Sequence, residues 1–134
     1  NKYLAQSEFR QINKDSSHII DLSFLNDKKI NKSHFFYQGL KKLNLDNFDD
    51  SNLTVKIENV SNDTYLKTYK LKSSLIDNEN LLNSSINIDL YRQDLKFSAA
   101  IEAYEDLNKK KSVIIYQENI IKKKNHLGLC IYQE

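Results

Sequence analysis

The stretch FSAAIEAYEDLNKKKSVIIYQ, Phe97 to Gln117, admits two readings, and the fold class depends on which one holds. As a helix, AAIEAYEDLNKKK has good propensity in Ala, Glu, Leu and Lys, with acids early and bases late to suit the helix dipole. As strands, Phe97, Ala99, Ile101 and Ala103 share one face, EDLNKKK is a polar turn, and SVII resumes with β-branched residues. Propensity is a weak prior that tertiary context overrides, so the surrounding sequence decides.

That surrounding sequence alternates with period 2. In HIIDLSFL, residues Ile20, Leu22 and Phe24 fall on one face and Asp21 and Ser23 on the other. LTVKIENV repeats the pattern with Leu53, Val55 and Ile57 inward, and INIDLY with Ile86, Ile88 and Leu90. TYLKTYKL is aromatic and β-prone, with Tyr65, Tyr69 and Leu71 on one side, and SVIIYQ and HLGLCIYQ are short apolar runs. The deciding stretch is therefore expected to be strand, turn, strand, in a mainly β chain. Two places break the rhythm. SSLIDNENLL, residues 73–82, has Ser74 three residues ahead of Asp77 and reads as a short capped helical insertion. The first fifteen residues contain Tyr3, Leu4 and Phe9 without a clean period and read as an arm or tether, leaving 16–134 as one domain. Between the first clear strands, the segment 26–52 is long enough to suggest a binding surface, with Phe35, Phe36 and Tyr37 forming either a further strand or a projecting loop.

Composition narrows the function classes. With 134 residues, 40% hydrophobic, 28% charged and a net charge of +2, the chain is a folded domain without the basic excess of a nucleic-acid binder. Cys130 is the single cysteine, so no intrachain disulfide forms, and its apolar neighbours suit a small buried hydrophobe. His18, His34 and His126 are far apart and without metal-ligand spacing, which makes them surface or strand-end residues. Gly39 and Gly128 cannot build a phosphate loop, Asp46, Asp49 and Asp50 lack the pattern of a calcium loop, and no catalytic set stands out. Lys109–Lys111 and Lys122–Lys124 suit turns that solubilise and protect strand edges. No cofactor, metal or small-molecule substrate is expected. The absence of Met before Asn1 predicts a trimmed form whose targeting segment has been removed.

Read as a hairpin, AAIEAYEDLNKKKSVIIYQ, centred on Tyr104, Asp106 and Leu107, resembles the hairpin of the TssJ family, the outer-membrane lipoproteins of type VI secretion systems. HIIDLSFLND is similar to that family's first strand and the turn after it, LTVKIENV to its second strand, and SSLIDNENLL to its helical insertion, so that the likeness runs from Ile19 to Tyr132. The resemblance implies a two-sheet, transthyretin-like β-sandwich, tethered to the outer membrane by lipid on a Cys ahead of Asn1. It implies a non-enzymatic scaffold on the periplasmic face of that membrane, binding the periplasmic domain of an inner-membrane component. The family's binding loop corresponds here to Asn26, Asp27, Lys28, Lys29 and Ile30, with Phe35 and Phe36 just beyond. A secreted or surface β-sandwich that stacks glycan or host protein on Tyr37, Tyr65 and Tyr69 is the alternative.

Overall fold

The computed structural model of the protein describes residues 2–27, 29–122 and 129–133. Its strands follow in chain order as β1 (Tyr3–Ile12), β2 (Ser16–Asn26), β3 (Lys32–Lys42), β4 (Asp50–Val60), β5 (Leu81–Arg92), β6 (Leu95–Asp106), β7 (Lys111–Lys122) and β8 (Leu129–Gln133). One short helix, α1 (Tyr65–Tyr69), interrupts them between β4 and β5. Each strand pairs antiparallel with its neighbour in sequence, giving a single sheet of order β1-β2-β3-β4-β5-β6-β7-β8.

The deciding stretch is indeed a hairpin. Phe97 pairs with Ile120 and Ile101 with Tyr116, while the turn after β6 is held by the Asp106 carboxylate, which accepts from the backbone N–H groups of Asn108 and Lys109. Lys110 takes the left-handed conformation that lets the chain re-enter β7. Phe35, Phe36 and Tyr37 are strand residues of β3, which resolves the open alternative in favour of the strand.

Three expectations are corrected. The mainly β class holds, but the strands lie in one sheet, with no second sheet among the described residues. The N-terminal arm is strand β1, paired with β2 from Tyr3↔Asn26 to Ile12↔Ser17. Its mixed polarity is that of an edge strand exposed along its length. The helix falls at 65–69, where a strand was expected, and 73–80 is turn and bend. Tyr65 and Tyr69, four residues apart, fit a helical spacing as well as an alternating one, and Leu66 beside them fits the helical one. The Asn62 carboxamide oxygen accepts from the backbone N–H and the hydroxyl of Thr64, nucleating the turn, and Lys70 ends it in the left-handed region.

The connection 61–80 lies across one face of the sheet and makes the core there. Tyr65, Leu66, Leu71 and Leu75 from the connection pack with Leu25, Phe36, Leu82 and Leu107. Polar bonds fasten it at its margins. Gln6 on β1 donates to the Lys72 carbonyl at 3.0 Å, Arg10 to the Ser74 hydroxyl at 3.0 Å, and Lys67 to the Asn108 carboxamide at 2.9 Å.

Above Lys56↔Ser85 the β4–β5 ladder stops and side chains take over its hydrogen bonds. The Ser84 hydroxyl accepts from the Glu58 N–H at 3.0 Å, and the Glu58 carboxylate accepts from the Asn83 N–H at 2.8 Å. Lys56 pairs with that carboxylate at 2.9 Å and with Asp77 at 3.2 Å. Burial pulls the Lys56 pKa down, but the hydrogen bond and charge of Glu58, followed by those of Asp77, outweigh it and leave the ammonium above the usual lysine range. Replacing Lys56 by Met is expected to cost about 1–3 kcal/mol, because the buried Glu58 carboxylate loses its counter-charge. Because the folded-state pKa is raised, the bridge contributes fully below the ordinary lysine pKa. That contribution is lost as pH rises through the higher folded value. Urea titrations of both proteins at neutral and strongly alkaline pH check this; the gap between them should narrow at the alkaline end.

Candidate functional site

Pairing register assigns each strand residue to one of two faces, because directly opposed residues point the same way. On the covered face β2 presents Asp21, Ser23 and Leu25, opposite Phe36, His34 and Lys32 of β3. On the other face β2 presents Ile20, Leu22 and Phe24, opposite Tyr37, Phe35 and Ser33. The alternation read from sequence is thus correct in phase, but the apolar set lies opposite the covering connection. Polar Asp21 and Ser23 are the residues buried.

Those buried polar residues form a connected network. His34 Nε2 lies 3.0 Å from Asp21 Oδ2, and His34 Nδ1 lies 2.5 Å from Ser23 Oγ. Ser23 Oγ is also 2.8 Å from the Tyr65 hydroxyl, and the Gln6 carboxamide donates to both Asp21 oxygens at 3.2 and 3.3 Å. His34, expected at the surface or a strand end, is instead buried, because α1 brings Tyr65 over it and Phe36 meets it edge-on at 5.0 Å. A chain of Asp, His and Ser has the order of a nucleophilic triad. Here the serine is 2% exposed and its oxygen already lies between a histidine and a phenol, so no reacting carbonyl can reach it. The network satisfies polar groups buried under the connection.

The opposite face is where the sheet meets its surroundings. β4 presents Leu53, Val55 and Ile57 there, and Val55 pairs with Ile86 of β5. Ile86 in turn pairs with Ile101, and Ile88 with Ala99. Ile101 pairs with Tyr116 of β7, which carries the apolar surface across seven strands from Phe9 on β1. Nothing among the described residues covers it: Phe24 is 47% exposed, Ile86 54% and Ile114 75%. The total accessible surface tells the same story, at 10028 Å² for a 15.7 kDa chain against about 7,300 Å² for a folded monomer of that mass.

Polar groups are sparse on this face. Near one edge, Tyr37 folds back over Gly39, where an added Cβ would lie 2.2 Å from the phenolic oxygen, and its hydroxyl reaches His18 Nδ1 at 2.9 Å. On β7 the Tyr116 hydroxyl donates to the Glu118 carboxylate at 3.3 Å.

The residues expected to bind a partner are divided. Asn26 ends β2, and Asp27, Lys29 and Ile30 form the turn into β3, with the Ile30 N–H donating to the Asp27 carbonyl. Lys2 pairs with Asp27 at 3.1 Å, and that hydrogen bond, then its charge, raises the Lys2 pKa. Lys28 lies outside the described residues. Phe35 and Phe36 leave this turn for opposite faces: Phe35 joins the open apolar face, and Phe36, 1% exposed, joins the core. The three tyrosines do not form one platform either, since Tyr65 is buried, Tyr69 lies under Lys32 on the covered face, and Tyr37 is on the other. No three His, Cys, Asp or Glu side chains gather at metal-binding distance among the described residues. His126, Gly128 and Lys123–Lys124 lie outside the described residues.

Comparison with protein-family models, curated proteins and solved structures returned no match.

Proposed function

We propose that this chain is a non-enzymatic interaction module whose working surface is the open apolar face of the sheet. One observation carries the reading: each of seven consecutive strands turns aliphatic or aromatic residues to the side that the covering connection leaves open. Monomeric soluble proteins rarely keep an apolar patch of more than a few hundred Å² in water, and larger ones mark association sites. The binding energy would come from aromatic and branched anchors such as Phe24, Phe35 and Ile57, ringed by polar strand ends. Hydroxyl-radical labelling in cells is expected to modify Phe24 and Phe35 several-fold less in the wild type than in an Ile57→Lys/Ile101→Lys variant, whose face cannot be covered. Equal labelling would remove the face from the account.

The likeness to the TssJ family suggests an address and a second contact. Two features support it: the hairpin at 97–117 is formed, and Lys29 and Ile30 stand exposed on the turn after the HIIDLSFLND strand. On this reading the turn meets the periplasmic domain of an inner-membrane component while lipid ahead of Asn1 holds the chain to the outer membrane. Lys29→Glu with Ile30→Asp should then weaken capture of that domain at least tenfold, and unaltered capture would discard this second contact.

A further inference from the structure

The reading of the open face as an interaction surface leaves its occupant unspecified, and three features of the face narrow the choice. The first is height. Ile20 to Phe24, Leu53 to Ile57 and Ile86 to Leu90 each place three apolar side chains along a strand, a band about 14 Å tall at 3.4 Å per residue, which widens to about 20 Å on β6 from Phe97 to Ala103. A lipid-facing wall needs a band of about 25 Å. His18 on β2 and Asn59 on β4 lie on the same face as the band just beyond it, and Glu118 sits within it on β7. The height is close to the length of an ordinary strand, about 17–20 Å, and so suits a second sheet packed face to face with interdigitating side chains.

The second feature is area. The accessible surface exceeds that expected of a folded monomer by roughly 2,700 Å², and the open face is one of the two faces that share this excess. A standard interface takes only about 800 Å² from each partner.

The third is the placement of charge. At one end of the face stand Lys41 on β3 and Arg92 on β5, both exposed, and at the other end Glu105 alternates with Ile101 and Ala103 on the same side of β6 and is also exposed. A two-fold axis running across the strands would bring the end of one copy that presents Lys41 and Arg92 on this face over the end of the other that presents Glu105 there. A net charge of +2 adds little repulsion between two copies.

We propose that the open face is covered by a second copy of this chain, sheet on sheet, in a two-layer homodimer with an isologous interface. The central pair Ile86 and Ile101 lies at its middle and carries much of the affinity.

Sedimentation equilibrium of the full chain from 1 to 100 µM tests this, with Ile86→Lys and Ile101→Gln as variants and circular dichroism as the check on folding. The expected result is a mass twice that of the monomer for the wild type. Either variant should self-associate at least 100-fold more weakly with its β signal unchanged, and Ile101→Gln serves if the lysine variant loses that signal. A monomeric wild type at 100 µM that binds an apolar dye, with the dye lost in Ile86→Lys, overturns the second copy while leaving the face as an interaction surface. Partition of that monomer into phosphatidylglycerol–phosphatidylethanolamine vesicles overturns it in favour of lipid. A monomer that binds neither dye nor vesicle overturns both the homodimer and the reading on which it rests.

Discussion

Asp21→Ala is expected to destabilise the protein by about 3–5 kcal/mol, because the change takes the acceptor from both His34 and Gln6 under the covering connection, at about 1–3 kcal/mol for each group left unsatisfied. Gln6 would lose both of its bonds to the same carboxylate. At roughly 4 °C per kcal/mol for a chain of this size, the thermal midpoint should fall by about 12–20 °C. Asp21→Asn keeps the shape and an acceptor oxygen for the imidazole, and should cost less, about 1–2 kcal/mol. Tyr65→Phe should also fall in that lower range, since Ser23 retains His34. Thermal melts of the three variants give the order directly. An Asp21→Ala protein as stable as the wild type would show that the covering connection does not close over this network in solution.

The second large effect distinguishes two adjacent phenylalanines. Phe36→Ala should cost about 3–5 kcal/mol, as large-to-small changes do in a closed core, because Phe36 sits among Leu25, Tyr65 and Leu66 with His34 against its ring. Phe35→Ala, one residue earlier, should cost under about 1 kcal/mol in dilute solution, because its side chain faces the open side and is 42% exposed. Chemical denaturation at low and high protein concentration checks both. The Phe35 variant should fall further behind the wild type as concentration rises, since its lost contacts are those of the associated state. Equal effects for the two residues would contradict a sheet covered on one side only.

The sequence made the strands readable because β-branched and aromatic residues alternate with polar ones at Ile20–Phe24, Leu53–Ile57 and Ile86–Leu90. It did not say which side of the strand would be covered. Alternation fixes phase, and apolar is normally taken for inward. Here the twenty-residue connection after β4 supplies the cover, and it closes over Asp21 and Ser23 because Tyr65 and Gln6 satisfy their oxygens. The only sequence signal for that choice was the presence of polar residues with partners to find. The single sheet was equally hidden, since turns after β2, β5 and β6 read the same whether successive strands share one sheet or alternate between two. Strand β1 was missed because Glu8 and Arg10 sit where a core strand would be apolar; on an edge they fasten the connection through Ser73 and Ser74. The helix at Tyr65–Tyr69 was obscured by aromatic residues that favour strands in isolation.

Among the described residues the sheet joins only neighbours in sequence, so none of these strands waits for a distant one before it can pair. Such a chain can assemble hairpin by hairpin with little loop-closure entropy per step. It can also come apart in the same manner. The connection 61–80 clamps β1 to β4 and reaches the turn after β6, but β7 is exposed along residues 111–118 on both sides. Protection from amide exchange should therefore decline from the middle of β2 toward β7, so that the last hairpins open and close many times for each global unfolding event.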